Sequence, residues 1–435
     1  MFKRIYYKID IELLSPLSVG SGENAQTDKD IIVDALGNPF IPATAITGVL
    51  RSYVTEQGKT VKDGIPLDHA IFGYTLSKKL SNDECKKPEN IETSTLAKVY
   101  DAYCTSDTKC CITTRDCVKL KNKVAVENAK FDMEAVETGA KFTGYIELLS
   151  DEDWCVSAIE EALSALHIGR IFIGSKTSRG YGRVSLSVRK LVISDVAEWL
   201  GFRMFESDSW QTDKAEALDL SRIAEKFEFV VQLKLRGGIS VRKYTTTVSK
   251  DGSTAPDYQS LALESITENG ETVAVIPGTS WAGAFRDRFA ELTDAATVQD
   301  LFGDIETKTN VAYKSKIVFS ESVFSDGVYK ISTRNSIDRF SGATKSGALY
   351  TEKTYYYGTT QLSVSFAENP DDNVLWALGA CFADLHHGFL SVGGLTSVGR
   401  GLFEISSVKF NDKELQLDNI INGEIDEWVR EVTGV

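Results

Sequence analysis

The sequence predicts an α+β protein of two similar domains in tandem, and three observations predict it. A glycine-rich stretch occurs twice, the same order of strand-like and helix-like segments precedes each copy, and a chain of 435 residues suits two cores of about 200 residues better than one. The first copy runs from His167-Ile168-Gly169 through Gly174-Ser175-Lys176-Thr177-Ser178-Arg179-Gly180-Tyr181-Gly182. The second runs from His386-His387-Gly388 through Gly393-Gly394-Leu395-Thr396-Ser397-Val398-Gly399-Arg400-Gly401. They align without a gap at an offset of 219, from His167 to His386 and from Gly182 to Gly401, and the same offset carries Thr114-Arg115 onto Thr333-Arg334. Further upstream the offset is 235, where Ile41-Pro42-Ala43-Thr44 meets Ile276-Pro277-Gly278-Thr279 and Arg51 meets Arg286. The first half thus holds 16 extra residues between Arg51 and Arg115, where most of the cysteines are.

In chain order, Ile5 to Leu14 alternates apolar and polar residues at period two, the pattern of a half-buried strand. Pro42 disfavours helix just before it, Thr44 is a good N-cap, and Ala45 to Glu56 reads as a helix. Its first N–H groups, the Thr44 hydroxyl and Arg51 suit an anion such as phosphate; a capped helix with a surface arginine is the plainer alternative. Residues 58–111 read as an irregular insertion. Ile112 to Leu120 and Lys141 to Leu149 read as strands flanking a hairpin-like excursion, and Trp154 to Leu166 as an amphipathic helix. The glycine-rich loop then leads into the strand Val184-Leu186-Val188. Strand, helix, two strands, helix, strand is the ferredoxin-like (RRM-like) order shared by RNA-recognition domains. The expected division is a first domain over 1–195, a partly helical linker over 196–226 and a second domain over 227–435.

Net charge of −14 argues against a nonspecific nucleic-acid binder, because phosphate binding normally leaves a basic footprint. Basic residues nevertheless cluster at Lys234, Arg236, Arg242, Lys243 and Lys250, and at Lys176, Arg179, Arg183, Arg189 and Lys190, which leaves room for a basic groove on an acidic body. No apolar run is long enough to span a bilayer, and the seven cysteines, odd in number, fit a reducing cytosol, so a cytoplasmic protein is expected. Cys85, Cys104, Cys110 and Cys117, or three of them with His69, are candidate ligands of a structural zinc ion; free buried thiols are the alternative, since no CxxC pair is present among them. His167 and His386 each end a core-facing helix, where capping as a protonated imidazole is expected rather than base catalysis.

Pro39-Phe40-Ile41-Pro42-Ala43-Thr44-Ala45-Ile46-Thr47-Gly48-Val49-Leu50-Arg51, the segment Arg334-Asn335-Ser336-Ile337-Asp338-Arg339-Phe340-Ser341-Gly342 and the two glycine-rich loops resemble the RAMP superfamily of CRISPR-associated proteins. They are most similar to backbone subunits of type III effector complexes, here as a tandem fusion of two. The resemblance implies binding of guide RNA (crRNA) and of complementary single-stranded target RNA. It also implies assembly with other RAMP subunits, small subunits and a large polymerase/cyclase-like subunit, and a thumb-like hairpin at Ile337 to Gly342 that interrupts the guide–target duplex. The first-half counterpart, Arg115-Asp116-Cys117-Val118-Lys119-Leu120, keeps less of that pattern, and Thr47 and Ala282 stand where family members often carry Lys.

By the same resemblance, Asp28 is the catalytic aspartate of an endoribonuclease site assisted by Mg²⁺ or another divalent cation, and Asp257 is a looser second match. A solvated loop carboxylate beside Asp30 and Asp34 is the alternative for Asp28. Thr44, Arg51, Lys176, Arg179, Arg183, Thr279, Arg286, Arg334, Arg339 and Arg400 are the candidate RNA contacts. A non-catalytic crRNA-binding scaffold and an end-capping or guide-processing member remain the other readings.

Overall fold

The computed structural model describes residues 3–22, 30–61, 64–77, 90–93, 95–105, 110–121, 124–222, 225–243, 258–260, 262–264, 272–306 and 311–434. The chain forms two compact units. The first comprises residues 1–115, 133–175 and 181–226, the second 116–132, 176–180 and 227–435.

In the first unit the alternation at the N-terminus becomes β1 (Arg4–Leu13), followed by α1 (Ala43–Glu56), the short α2 (Leu67–Phe72), and β2 (Ala97–Val99) with β3 (Ala102–Cys104). A hairpin of β4 (Ile112–Lys121) and β5 (Val124–Val136) comes next in the chain, its residues 116–132 counting to the second unit, then β6 (Lys141–Leu148), α3 (Asp153–His167) and β7 (Val184–Ile193). The antiparallel sheet runs β7-β1-β6, with β2 and β3 both on the outer edge of β6. This is the ferredoxin-like arrangement, but its second strand is not the one the sequence suggests. Among the described residues Ile112 to Leu120 pairs only with β5, as a separate hairpin, and the sheet position is filled by β2 and β3 from the segment expected to be irregular. Three-residue strands are too short to register as a period, whereas β4 is long enough to look like a core strand.

Tyr7, Ile9 and Ile11 on one face of β1 pack with Ile46 and Leu50 of α1 and Ile159, Leu163 and Leu166 of α3. The opposite face is covered as well. Helix α4 (Val196–Gly201) and the chain after it pack Phe202, Met204 and Trp210 against Tyr6, Tyr145, Leu191 and Ile193.

The second unit repeats the plan with β8 (Glu228–Arg236), α5 (Gly278–Leu292), α6 (Ala295–Phe302), β9 (Ile317–Phe319) and β10 (Ser322–Ser325). A long hairpin of β11 (Val328–Ile337) and β12 (Thr344–Tyr356) follows, then β13 (Thr359–Phe366), α7 (Asp372–His387) and β14 (Leu402–Phe410). The sheet order is β14-β8-β13, with β9 and β10 on the outer edge of β13. Trp281, Phe285 and Phe289 of α5, Phe382 of α7 and Trp428 of the C-terminal helix α8 (Ile425–Thr433) fill its core.

Candidate nucleic-acid interface

Each glycine-rich loop is pinned to the segment that leaves the first strand of its unit. Ser175 N–H donates to Ser18 O and Gly182 N–H to Pro16 O; Gly394 N–H donates to Ser240 O and Gly401 N–H to Gly238 O. Lys176 and its repeat partner Leu395 both take left-handed backbone angles, φ 61° and 59°, so the two loops share one conformation. The closing glycine is obligatory in both: at Gly182 and Gly401, φ is +80° and +69°, and an added Cβ would collide with Ile173 O and Val392 O.

Behind the loops, His167 Nδ1 accepts the Leu186 N–H at 3.0 Å and His386 Nδ1 accepts the Ile405 N–H at 3.2 Å. A ring nitrogen that accepts carries no proton, and burial pushes both imidazoles below their ordinary pKa. The expected protonated caps are thus neutral acceptors that tie α3 to β7 and α7 to β14.

The start of α1 also departs from expectation. Its N-cap is Pro42, Thr44 is the exposed second helical residue, and Ala43 N–H donates to the Asp101 carboxylate at 2.6 Å. Arg51 Nε bonds Asp68 Oδ2 at 3.2 Å, with Asp68 buried. Arg115 is buried too, bonded through Nη2 to Glu137 at 2.7 Å and lying over the Tyr181 ring, while Thr113 also bonds Glu137. Arg183 folds over Gly169, and Lys176 and Arg179 are half-buried and engaged.

In the second unit Thr279 and Arg286 are exposed on α5, Arg334 is half-exposed on β11, and Arg339 is exposed at the hairpin tip. Arg400 is turned inward. It is buried, stacks on Tyr356 at 5.0 Å and lies 3.5 Å from Glu352, itself 1% exposed. The tip turn is held by Asp338, whose carboxylate accepts the Phe340 and Ser341 N–H groups, and these bonds hold it below the usual carboxylate range. Beyond it Phe340 stands wholly in solvent, at 101% exposure. The motif marks the segment around Phe340, and the turn geometry singles out the ring itself.

Asp28, Asp257 and Cys85 lie outside the described residues, and of Cys117 only the backbone is described. Cys104 and Cys110 are joined to each other as a disulfide, so in this form neither supplies a thiolate to zinc. Among the described residues no group of three or more His, Cys, Asp or Glu is placed to hold a metal ion.

A family model of the RAMP superfamily matches residues 10–185 and again 262–404, most of the chain. The chain belongs to the RAMP superfamily. RAMP proteins are CRISPR-associated and bind RNA, and the two matches fall one on each ferredoxin-like unit. No curated protein matches the sequence closely enough for comparison. In RNA-recognition domains that share this fold, exposed sheet aromatics stack the bases. Here the first sheet is covered by Phe202 and Trp210, and the outward positions Val230, Gln232, Lys234, Gln361 and Ser363 of the second include no aromatic.

Proposed function

We propose that this RAMP protein is a backbone subunit of a type III CRISPR effector complex. On this reading it holds guide RNA and cleaves complementary target RNA at aspartate sites with the help of a divalent cation. The observation that supports the reading most is the β11–β12 hairpin, which carries Ile337-Asp338-Arg339-Phe340 to a braced turn with a fully exposed aromatic ring. An aromatic ring presented this way stacks on bases without regard to sequence, and basic residues beside it meet phosphates. Partners on this reading are the crRNA, the target strand, other RAMP and small subunits and the large polymerase/cyclase-like subunit.

One carboxylate suffices for the chemistry because RNA brings its own nucleophile. Asp28, and by a looser match Asp257, would take the proton from a ribose 2′-OH as it attacks the adjacent phosphorus; the 5′-oxygen leaves, giving a cyclic phosphate and a 5′-OH end. A divalent cation, when bound, would stabilise charge on the phosphate.

The test is a gel of end-labelled, guide-complementary RNA incubated with the assembled complex and Mg²⁺, comparing wild type with Asp28→Ala, Asp257→Ala and the double variant. Loss of particular bands with binding retained assigns a site to each aspartate. An unchanged ladder removes the catalytic role and leaves a binding scaffold, and absence of bound RNA removes both.

A further inference from the structure

At three repeat-related places the first unit sets a carboxylate where the second sets a neutral residue. At the helix start, Ala43 N–H is taken by Asp101, whereas the residue 219 positions on is Ser320, whose hydroxyl accepts the Ser363 N–H, and α5 has no side-chain cap. On the helix itself, Arg51 is held by buried Asp68. Aligning the two units on Phe72-Gly73 and Phe302-Gly303, which close the next helix with the same backbone angles, puts buried Val298 in the place of Asp68. Arg286, the counterpart of Arg51, is exposed and makes no ion pair among the described residues.

At the hairpin root, Arg115 is locked to Glu137, both side chains 5% exposed. The counterpart of Glu137 is Tyr356, whose ring takes Arg400 from the glycine-rich loop. That leaves Arg334, the counterpart of Arg115, half-exposed beside Tyr350 and without an ion pair among the described residues. A carboxylate bonded to an N–H or a guanidinium occupies the donors and cancels the charge that a phosphate would use. One such difference is a substitution; three, at three separate motifs, set the units apart.

We propose that, of these paired arginines, Arg286 and Arg334 of the second unit make phosphate contacts with bound RNA, and that Arg51 and Arg115 serve the first unit as structural residues, their carboxylates standing where phosphate would. The proposal rests on the RNA-binding reading above.

The test uses the full-length chain and an end-labelled single-stranded RNA, with affinity measured over a salt series and each variant's thermal melt recorded. Arg286→Ala and Arg334→Ala are each expected to weaken binding about tenfold and to lower the salt slope by about one. Arg51→Ala is expected to leave both unchanged. Because Arg115→Ala strands a buried carboxylate, the double variant R115M/E137L, which removes the pair together, is the informative one, and it too is expected to bind as wild type. If wild type binds no RNA, the functional reading fails and the proposal with it. If wild type binds but R51A and the double variant lose as much as R286A and R334A, or the latter two lose nothing, the division between units is overturned and the RNA-binding reading stands.

Discussion

The imidazoles of His167 and His386 show how a single residue's environment reverses the role its position suggests. Each ends a helix, which favours a charged ring, but each accepts a strand N–H and is partly buried, which favours a neutral one. Burial is the main cause that holds both below the ordinary value of 6.5. The unfolded chain therefore binds these protons more readily than the folded one, so their stabilisation is complete above about pH 6.5 and is lost as pH falls through the depressed folded values. Thermal melts between about pH 7.5 and 5.5 are expected to show a falling Tm, and H167Q/H386Q to flatten that fall. The Arg115–Glu137 pair obeys a similar logic of burial. Arg115→Met alone should cost about 3–5 kcal/mol in urea unfolding, and R115M/E137L markedly less, because only the single variant leaves a charge buried alone.

At the scale of elements, the glycine-rich loops were legible and the sheet edge was not. The pattern Gly-x-Gly marks a backbone that no other residue can follow, and the structure adds the reason: a methyl at position 182 or 401 meets Ile173 O or Val392 O. Gly182→Ala and Gly401→Ala are expected to cost on the order of 3 kcal/mol or more, or to prevent folding, as read by urea unfolding. The hairpin tip behaves oppositely. Phe340→Ala, at a fully exposed site, should change stability by no more than about 0.5 kcal/mol, yet weaken RNA binding by the ~1–3 kcal/mol of one stacked base. A loss of stability with RNA binding intact would mean that the ring packs on protein and that the hairpin is not a wedge.

For the whole molecule, the segment after β7 decides whether the outer sheet face of the first unit is open. Residues after β7 do not merely connect; Trp210 and Phe202 cap the outer sheet face of the first unit, and Trp199 Nε1 donates to the Tyr6 hydroxyl. Trp210→Ala is expected to cost about 3–5 kcal/mol and to open residues 196–217 to limited proteolysis. The even spacing of Trp199, Phe202 and Phe205 could not place this cover, because α4 ends at Gly201 and the later two rings follow it in irregular chain, where Phe202 meets Tyr6 and Phe205 meets Tyr145 of the sheet beneath.

The sequence by itself determined the repeat, the ferredoxin-like order and the family, since these rest on residue spacing and on glycines whose need is local. It also matched Arg51 to Arg286 and Arg115 to Arg334 by position, and named Arg51 beside Arg286 as a candidate contact. Only the tertiary structure separated them, because whether a guanidinium is available depends on a carboxylate far away in sequence. Asp68 lies 17 residues from Arg51, and Glu137 lies 22 from Arg115 across a hairpin. Such a neutralising partner is set by folding and leaves no mark in the motif that it silences.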